Sequence, residues 1–101
     1  MTKNGVEIPI DAINAFCRKW RIAELALFGS VLRSDFRPDS DIDFLVTFVP
    51  DAKWDLFDFV TMKDELETLF LRSVDLVEKP ALRNPIRRKA ILASQEVIYA
   101  V

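Results

Sequence analysis

The spacing of apolar residues along the chain predicts an ordered series of helices and strands. Ile10, Ile13, Phe16, Cys17 and Trp20 recur at intervals of three and four, the repeat of one helix face. With Pro9 suited to a first turn, this predicts a helix from about Pro9 to Trp20. Ile22–Phe28 is short, mostly apolar and closed by Gly29, which predicts a buried strand ending in a tight turn. Ser30–Ser40 is polar, with Arg33, Asp35, Arg37, Pro38 and Asp39, and reads as a brief helical turn followed by a surface loop. Asp41–Val49 is rich in β-formers and stops at Pro50-Asp51, so a second strand is expected there. Alternation along a strand puts Ile42, Phe44, Val46 and Phe48 on one face, and Asp41, Asp43, Leu45, Thr47 and Val49 on the other.

Trp54–Leu71 is read as a long amphipathic helix with Leu56, Phe57, Val60, Leu66, Leu69 and Phe70 along its core side. Trp54, Phe57 and Phe59 are assigned to core packing rather than to an interface. Ser73–Val77 predicts a third short strand. Asn84-Pro85 supplies a cap and a first-turn proline for a basic helix through about Ala93, and Glu96–Val101 suits an added edge strand. No repeat, low-complexity tract or linker divides the chain. The order helix, strand, strand, helix, strand, helix predicts an α+β fold, a small mixed sheet with helices packed against it, in one domain spanning residues 1–101.

Half of the 101 residues are hydrophobic and 30% are charged, the profile of one globular domain. A chain of this size hides only about two-thirds of its unfolded surface, so a partner or self-association is compatible with it. The net charge of −2 argues against a nucleic-acid coat, and no direct nucleic-acid binding is expected. The single Cys17 excludes an intramolecular disulfide and a cysteine-based zinc cluster. With no histidine, imidazole bases and His-ligated metals are excluded, leaving catalysis to carboxylates, cations and Arg or Lys. The polar start and the lack of a run of about 20 apolar residues predict a cytoplasmic chain without a membrane span.

Against this background one constellation carries chemistry. Gly29-Ser30 is followed, after ten residues, by Asp41-Ile42-Asp43. Carboxylates two apart on a strand project to the same side, close enough to share a divalent cation that prefers oxygen ligands. Glycine lets the backbone approach a phosphate, and a helical turn beginning at Ser30 would aim free N–H groups at it. Asp75 stands between Val74 and Leu76 in an otherwise apolar strand. If that strand lies beside the Asp41–Asp43 strand, its carboxylate completes a three-acid cluster. Each element has a plainer explanation: an Asp-x-Asp pair is common, Gly-Ser is ordinary turn chemistry, and Asp75 also suits an ion pair with Arg72 or Lys79.

Taken together, Gly29, Ser30, Asp41 and Asp43, with the flanking Leu27-Phe28-Gly29-Ser30-Val31-Leu32-Arg33 and Ser40-Asp41-Ile42-Asp43, resemble the minimal nucleotidyltransferases (MNT) of the DNA polymerase β superfamily, often antitoxins beside HEPN-domain toxins. The resemblance covers nearly the whole chain. It implies that Ser30 and neighbouring amides hold the phosphates of ATP or another NTP, that Asp41 and Asp43 chelate Mg²⁺, with two ions expected, and that Asp75 is the third acid. Arg33 becomes a candidate phosphate contact, although a surface ion pair with Asp35 or Asp39 fits it equally well. Ser34 and Val31 depart from residues common in that family, Gly after the arginine and a basic or aromatic residue after the serine.

The function so implied is transfer of a nucleoside monophosphate, AMP foremost, to a hydroxyl, with a tyrosine of a HEPN toxin as the acceptor. Two other readings stand beside it: a non-catalytic module that silences its partner by occlusion, and a transferase acting on a small-molecule alcohol. Arg83, Arg87, Arg88 and Lys89 suit steering of an acidic partner or NTP, or simply a solvated face.

Overall fold

A two-residue turn at Asn4-Gly5 folds the start of the chain into a hairpin that the apolar periodicity does not announce. In the computed structural model, which describes residues 1–101, strand β1 (Thr2–Lys3) pairs antiparallel with β2 (Val6–Glu7), Lys3 opposite Val6. Asn4 and Gly5 both have positive φ, 48° and 83°, as a type I′ hairpin turn requires. Val6 and Ile8 anchor this hairpin in the core.

The remaining elements follow the predicted order: α1 (Ile10–Lys19), β3 (Ile22–Phe28), β4 (Ile42–Phe48), α2 (Leu56–Phe70), β5 (Val74–Glu78), α3 (Pro85–Ser94) and β6 (Glu96–Ala100). Short 3-10 turns occupy Gly29–Leu32 and Lys79–Ala81. β3 to β6 form one mixed sheet in the order β5-β4-β3-β6. β3 runs antiparallel to β4 and β6, and β4 runs parallel to β5. A parallel neighbour needs a crossover, and α2 provides it.

The strand alternation read from sequence is reproduced in the two sides of the sheet. Leu25, Leu27, Ile42, Phe44, Val46, Val74 and Leu76 join α1 and α2 in the main core through Ile13, Phe16, Cys17, Trp20, Met62 and Leu66. On the opposite side Ala26, Phe28 and Leu45 meet Leu82 and Ile91, so α3 and the segment leading into it cover that face. A short helix leaves part of it open, and the acidic residues of β4 and β5 lie there.

Helix α2 differs from its predicted face. Its core side is built by Met62 and Leu66, with Phe59 and Phe70 packed partly against them. Leu56, Phe57, Val60 and Leu69 are exposed, Phe57 at 82%. Six apolar residues cannot share one stripe when positions 56, 57 and 60 open about a third of a turn from 59, 62, 66 and 70, and packing selects the second set. Thus Phe57 is not a core residue, whereas Trp54 stacks edge-on against Trp20 at 5.2 Å and Phe59 against Phe48 at 6.3 Å. The start of α2 is fixed by a reciprocal capping box: the Asp58 amide donates to Asp55 at 2.9 Å, and the Asp55 amide to Asp58 at 3.1 Å.

Cys17 is fully enclosed, and burial pushes its thiol up to about 12. The thiolate is the reactive form, so the native protein should be inert to a thiol reagent at neutral pH. One thiol per chain should appear only in denaturant. Prompt labelling of the native protein by a disulfide-exchange reagent would contradict this packing.

Candidate active site

The cleft that gathers the chemistry opens on the α3 side of the sheet, where β3 ends and β4 begins. It encloses about 770 Å³ and is lined by Gly29, Ser30, Arg33, Ser40, Asp41 and Asp43 from the β3–β4 connection, and by Arg87 and Ser94 from α3.

Gly29 is obligatory here. Its φ is +73°, a left-handed conformation that non-glycine residues adopt at a cost. A Cβ at this position would fall on Oδ2 of Asp43 and lie 3.1 Å from its Cγ. The missing side chain therefore gives the Asp43 carboxylate its seat against the Gly29 backbone. The Ser30 backbone amide lies on the side of that carboxylate and favours its ionised form. The Ser30 hydroxyl lies 3.4 Å from the carbonyl of Asp41. The 3-10 turn at Gly29–Leu32 and the start of β4 are thereby tied together.

Strand pairing brings the distant third acid into place. In the parallel β4–β5 register Asp43 is the Cα partner of Asp75, so the two carboxylates rise side by side from the same face. Burial, and next the negative charge of Asp75, push the Asp43 carboxyl above its ordinary pKa; Asp41 adds to the rise, while the Ser30 amide and Arg33 oppose it. Asp41 is exposed at the cleft mouth, one residue before β4, and Asp75 is exposed at the sheet's edge strand outside the cleft lining. The three do not close into a preformed cage of acidic ligands.

The plainer explanations for Asp75 fail. Arg72 donates instead to the carbonyls of Arg37 and Ser40, both at 3.3 Å, and its guanidinium lies 4.9 Å from the Phe36 ring. Lys79 pairs with Glu24 at 3.4 Å. None of Asp41, Asp43 and Asp75 takes part in any of the six salt bridges. Uncompensated acids clustered on a half-buried face cost free energy, which a bound cation offsets. Carboxylate oxygens without imidazole, and with the lone thiol buried elsewhere, suit a hard cation of the Mg²⁺ type.

The basic residues divide. Arg33 and Asp35 approach at 3.4 Å with both side chains largely exposed, a contact too weak to immobilise the arginine. Arg88 is structural, donating to the carbonyls of Lys79 and Leu82 at 3.1 and 3.5 Å. Arg87 lines the cleft with no ion-pair or side-chain hydrogen-bond partner. The sequence grouped it with its basic neighbours; only the placement of α3 across the sheet singles it out, with Ser40 and Ser94.

An acidic strand edge beside a glycine-serine turn is an arrangement suited to a cation and a phosphate. Residues 10–98 match the nucleotidyltransferase domain family, and the chain belongs to it and is an enzyme of that class. A chain of Methanocaldococcus jannaschii provisionally named a protein adenylyltransferase is 37% identical over 81 residues, 80% of this chain and 79% of its own. Protein adenylyltransferase MntA of Thermococcus cleftensis is 34% identical over 83 residues, 80% of this chain and 77% of its own. A solved chain from the complex of MNT antitoxin with tri-AMPylated Shewanella oneidensis HEPN toxin shares the fold. It has a TM-score of 0.63 and 18% identity, over 91% of this chain and 70% of that one. The sequence-derived α+β nucleotidyltransferase fold is thus the fold found. No helix of the chain is long and apolar enough to cross a membrane.

Proposed function

We propose that this chain is a Mg²⁺-dependent protein adenylyltransferase that moves AMP from ATP to a tyrosine hydroxyl of a HEPN-domain toxin, and acts in the cytoplasm as its antitoxin. The observation that carries the reading is the Asp43–Asp75 register beside the Gly29-Ser30 turn: acids unpaired with any cationic side chain, Asp43 in a cleft whose other wall holds Arg87 and Asp75 just outside its lining. The names of the relatives support the acceptor: MntA is a protein adenylyltransferase, and an MNT antitoxin is found with an AMPylated HEPN toxin.

Asp41, Asp43 and Asp75 would hold the cation, as two ions, and the bound metal supplies charge neutralisation on the triphosphate. Ser30, Arg33 and Arg87 bind the phosphate oxygens from the two walls of the cleft, and Gly29 lets them approach the backbone. Asp75, exposed next to Asp43, takes the proton of the acceptor hydroxyl as that oxygen bonds to the α-phosphorus. The bond from the α-phosphorus to the bridging oxygen breaks, and pyrophosphate leaves. In this reading the acceptor's own surface brings its hydroxyl to the rim of the cleft.

The test is incubation with α-labelled ATP, Mg²⁺ and any HEPN-domain protein encoded beside this chain. Label on a toxin tyrosine, with loss of toxin activity, is the expected result. Silencing without label would overturn transfer in favour of occlusion. Label on an added small alcohol but not on the toxin would reassign the acceptor.

A further inference from the structure

We infer that Asn4, at the tip of the N-terminal hairpin, is a positioning residue that sets the geometry of the nucleotide-binding turn; the inference rests on the nucleotidyltransferase reading of the cleft. The Asn4 side-chain amide donates one N–H to the carbonyl of Val31 at 2.6 Å and the other to the carbonyl of Arg33 at 2.9 Å. These two carbonyls stand at the end of the Gly29–Leu32 turn, where a single 3-10 turn runs out of internal partners. The same turn carries Ser30 and delivers Arg33 to the cleft.

The clamp has firm footing on both sides. Val6 and Ile8 fix the hairpin in the main core, and Lys3 reaches Glu96 of β6 at 3.2 Å. The side chain of Val31 is fully buried in the same core. The turn is therefore held at its start by the Gly29–Asp43 contact and at its end by Asn4. Between Arg33 and Ser40 the chain is otherwise steadied by Arg72 on the carbonyls of Arg37 and Ser40. Phosphate recognition tolerates little displacement of such a turn. The clamp also comes from outside residues 10–98, the segment that matches the family, so the hairpin adds a fixation to the site that the matched segment does not itself contain.

Asn4 has positive φ, so the side chain must be removed without disturbing the turn. Asn4→Gly keeps the left-handed backbone and deletes both donors; Asn4→Asp keeps size and turn preference but offers acceptors to two carbonyls. The readouts are equilibrium binding of a non-hydrolysable ATP analogue with Mg²⁺, thermal unfolding, and amide exchange at residues 29–33. Two lost hydrogen bonds should weaken analogue binding by about tenfold in N4G, and by no less in N4D. Exchange should quicken at 29–33 but not in β3 or β4, and kcat at saturating ATP should fall less than KM rises. An N4G protein that binds the analogue as wild type does, or whose weakened binding is fully explained by its unfolded fraction, overturns this inference alone. A folded wild-type chain that binds no analogue overturns the parent reading and this inference with it.

Discussion

Replacing Asp43 by Asn should abolish AMP transfer while leaving the fold as stable as before, or more so. The loss follows from removing a charged ligand at the centre of the acid cluster. Cation and charge stabilisation at such a site is worth several kcal/mol, so a fall on the order of 10³-fold or more is expected. The stability follows from the sign of the pKa shift. Burial, then Asp75 and Asp41, raise the Asp43 carboxyl in the folded state, so at neutral pH folding is opposed by its ionisation. Asn has nearly the same shape and removes that penalty. The gain should be present above the raised pKa and vanish as pH falls through the ordinary carboxylate range, where both states are protonated. Transfer assays and thermal melts of the same preparation, the melts at neutral and acid pH, check both halves. An active D43N protein would remove Asp43 from the mechanism, and an unfolded one would assign it to the scaffold instead.

Gly29→Ala should damage fold and function together. An alanine at φ +73° costs about 1–2 kcal/mol of backbone strain before any contact is counted. Its Cβ must also displace the Asp43 carboxylate, whose Cγ would be 3.1 Å away. For a domain of this size 1 kcal/mol corresponds to roughly 4–8 °C, so a drop of about 5–10 °C in unfolding temperature is expected. Transfer should fall by about 10²-fold, the scale of a misplaced catalytic geometry. Melting curves and ATP titrations of G29A decide it. A variant that melts with wild type would mean that the turn relaxes without disturbing Asp43, against the close seat described above. The contrast with D43N is informative: one substitution removes charge from an intact turn, and the other deforms the turn around an intact charge.

Much of the fold was legible because it rests on local rules. The boundaries of β3 follow from an apolar run ended by Gly29, and α3 from the Asn84-Pro85 start, where the Asn84 side chain accepts the Ile86 and Arg87 amides at 3.0 Å. The hairpin at residues 2–7 escaped the periodicity argument because each strand has only two residues, too few to alternate. Its one signal, the Asn4-Gly5 dipeptide, states a turn but not what the turn touches. The exposed Phe57 escaped because helical spacing says which residues share a stripe, not which of two overlapping stripes meets the sheet.

Local residue order sets the chemistry on offer: carboxylates without imidazole, a glycine and serine at a strand end, and an Asp-x-Asp pair on one strand face. It also determined the order of the main elements, since apolar spacing is a property of neighbouring residues. Tertiary structure alone decided that Asp75 stands beside Asp43 rather than beside Arg72 or Lys79, because strand order and register are set by packing between distant segments. It alone brought Arg87 across the sheet to the cleft and set Asn4 on the carbonyls of Val31 and Arg33. Those are contacts over long sequence separations, and their free energy depends on how the whole core closes, which no local pattern encodes.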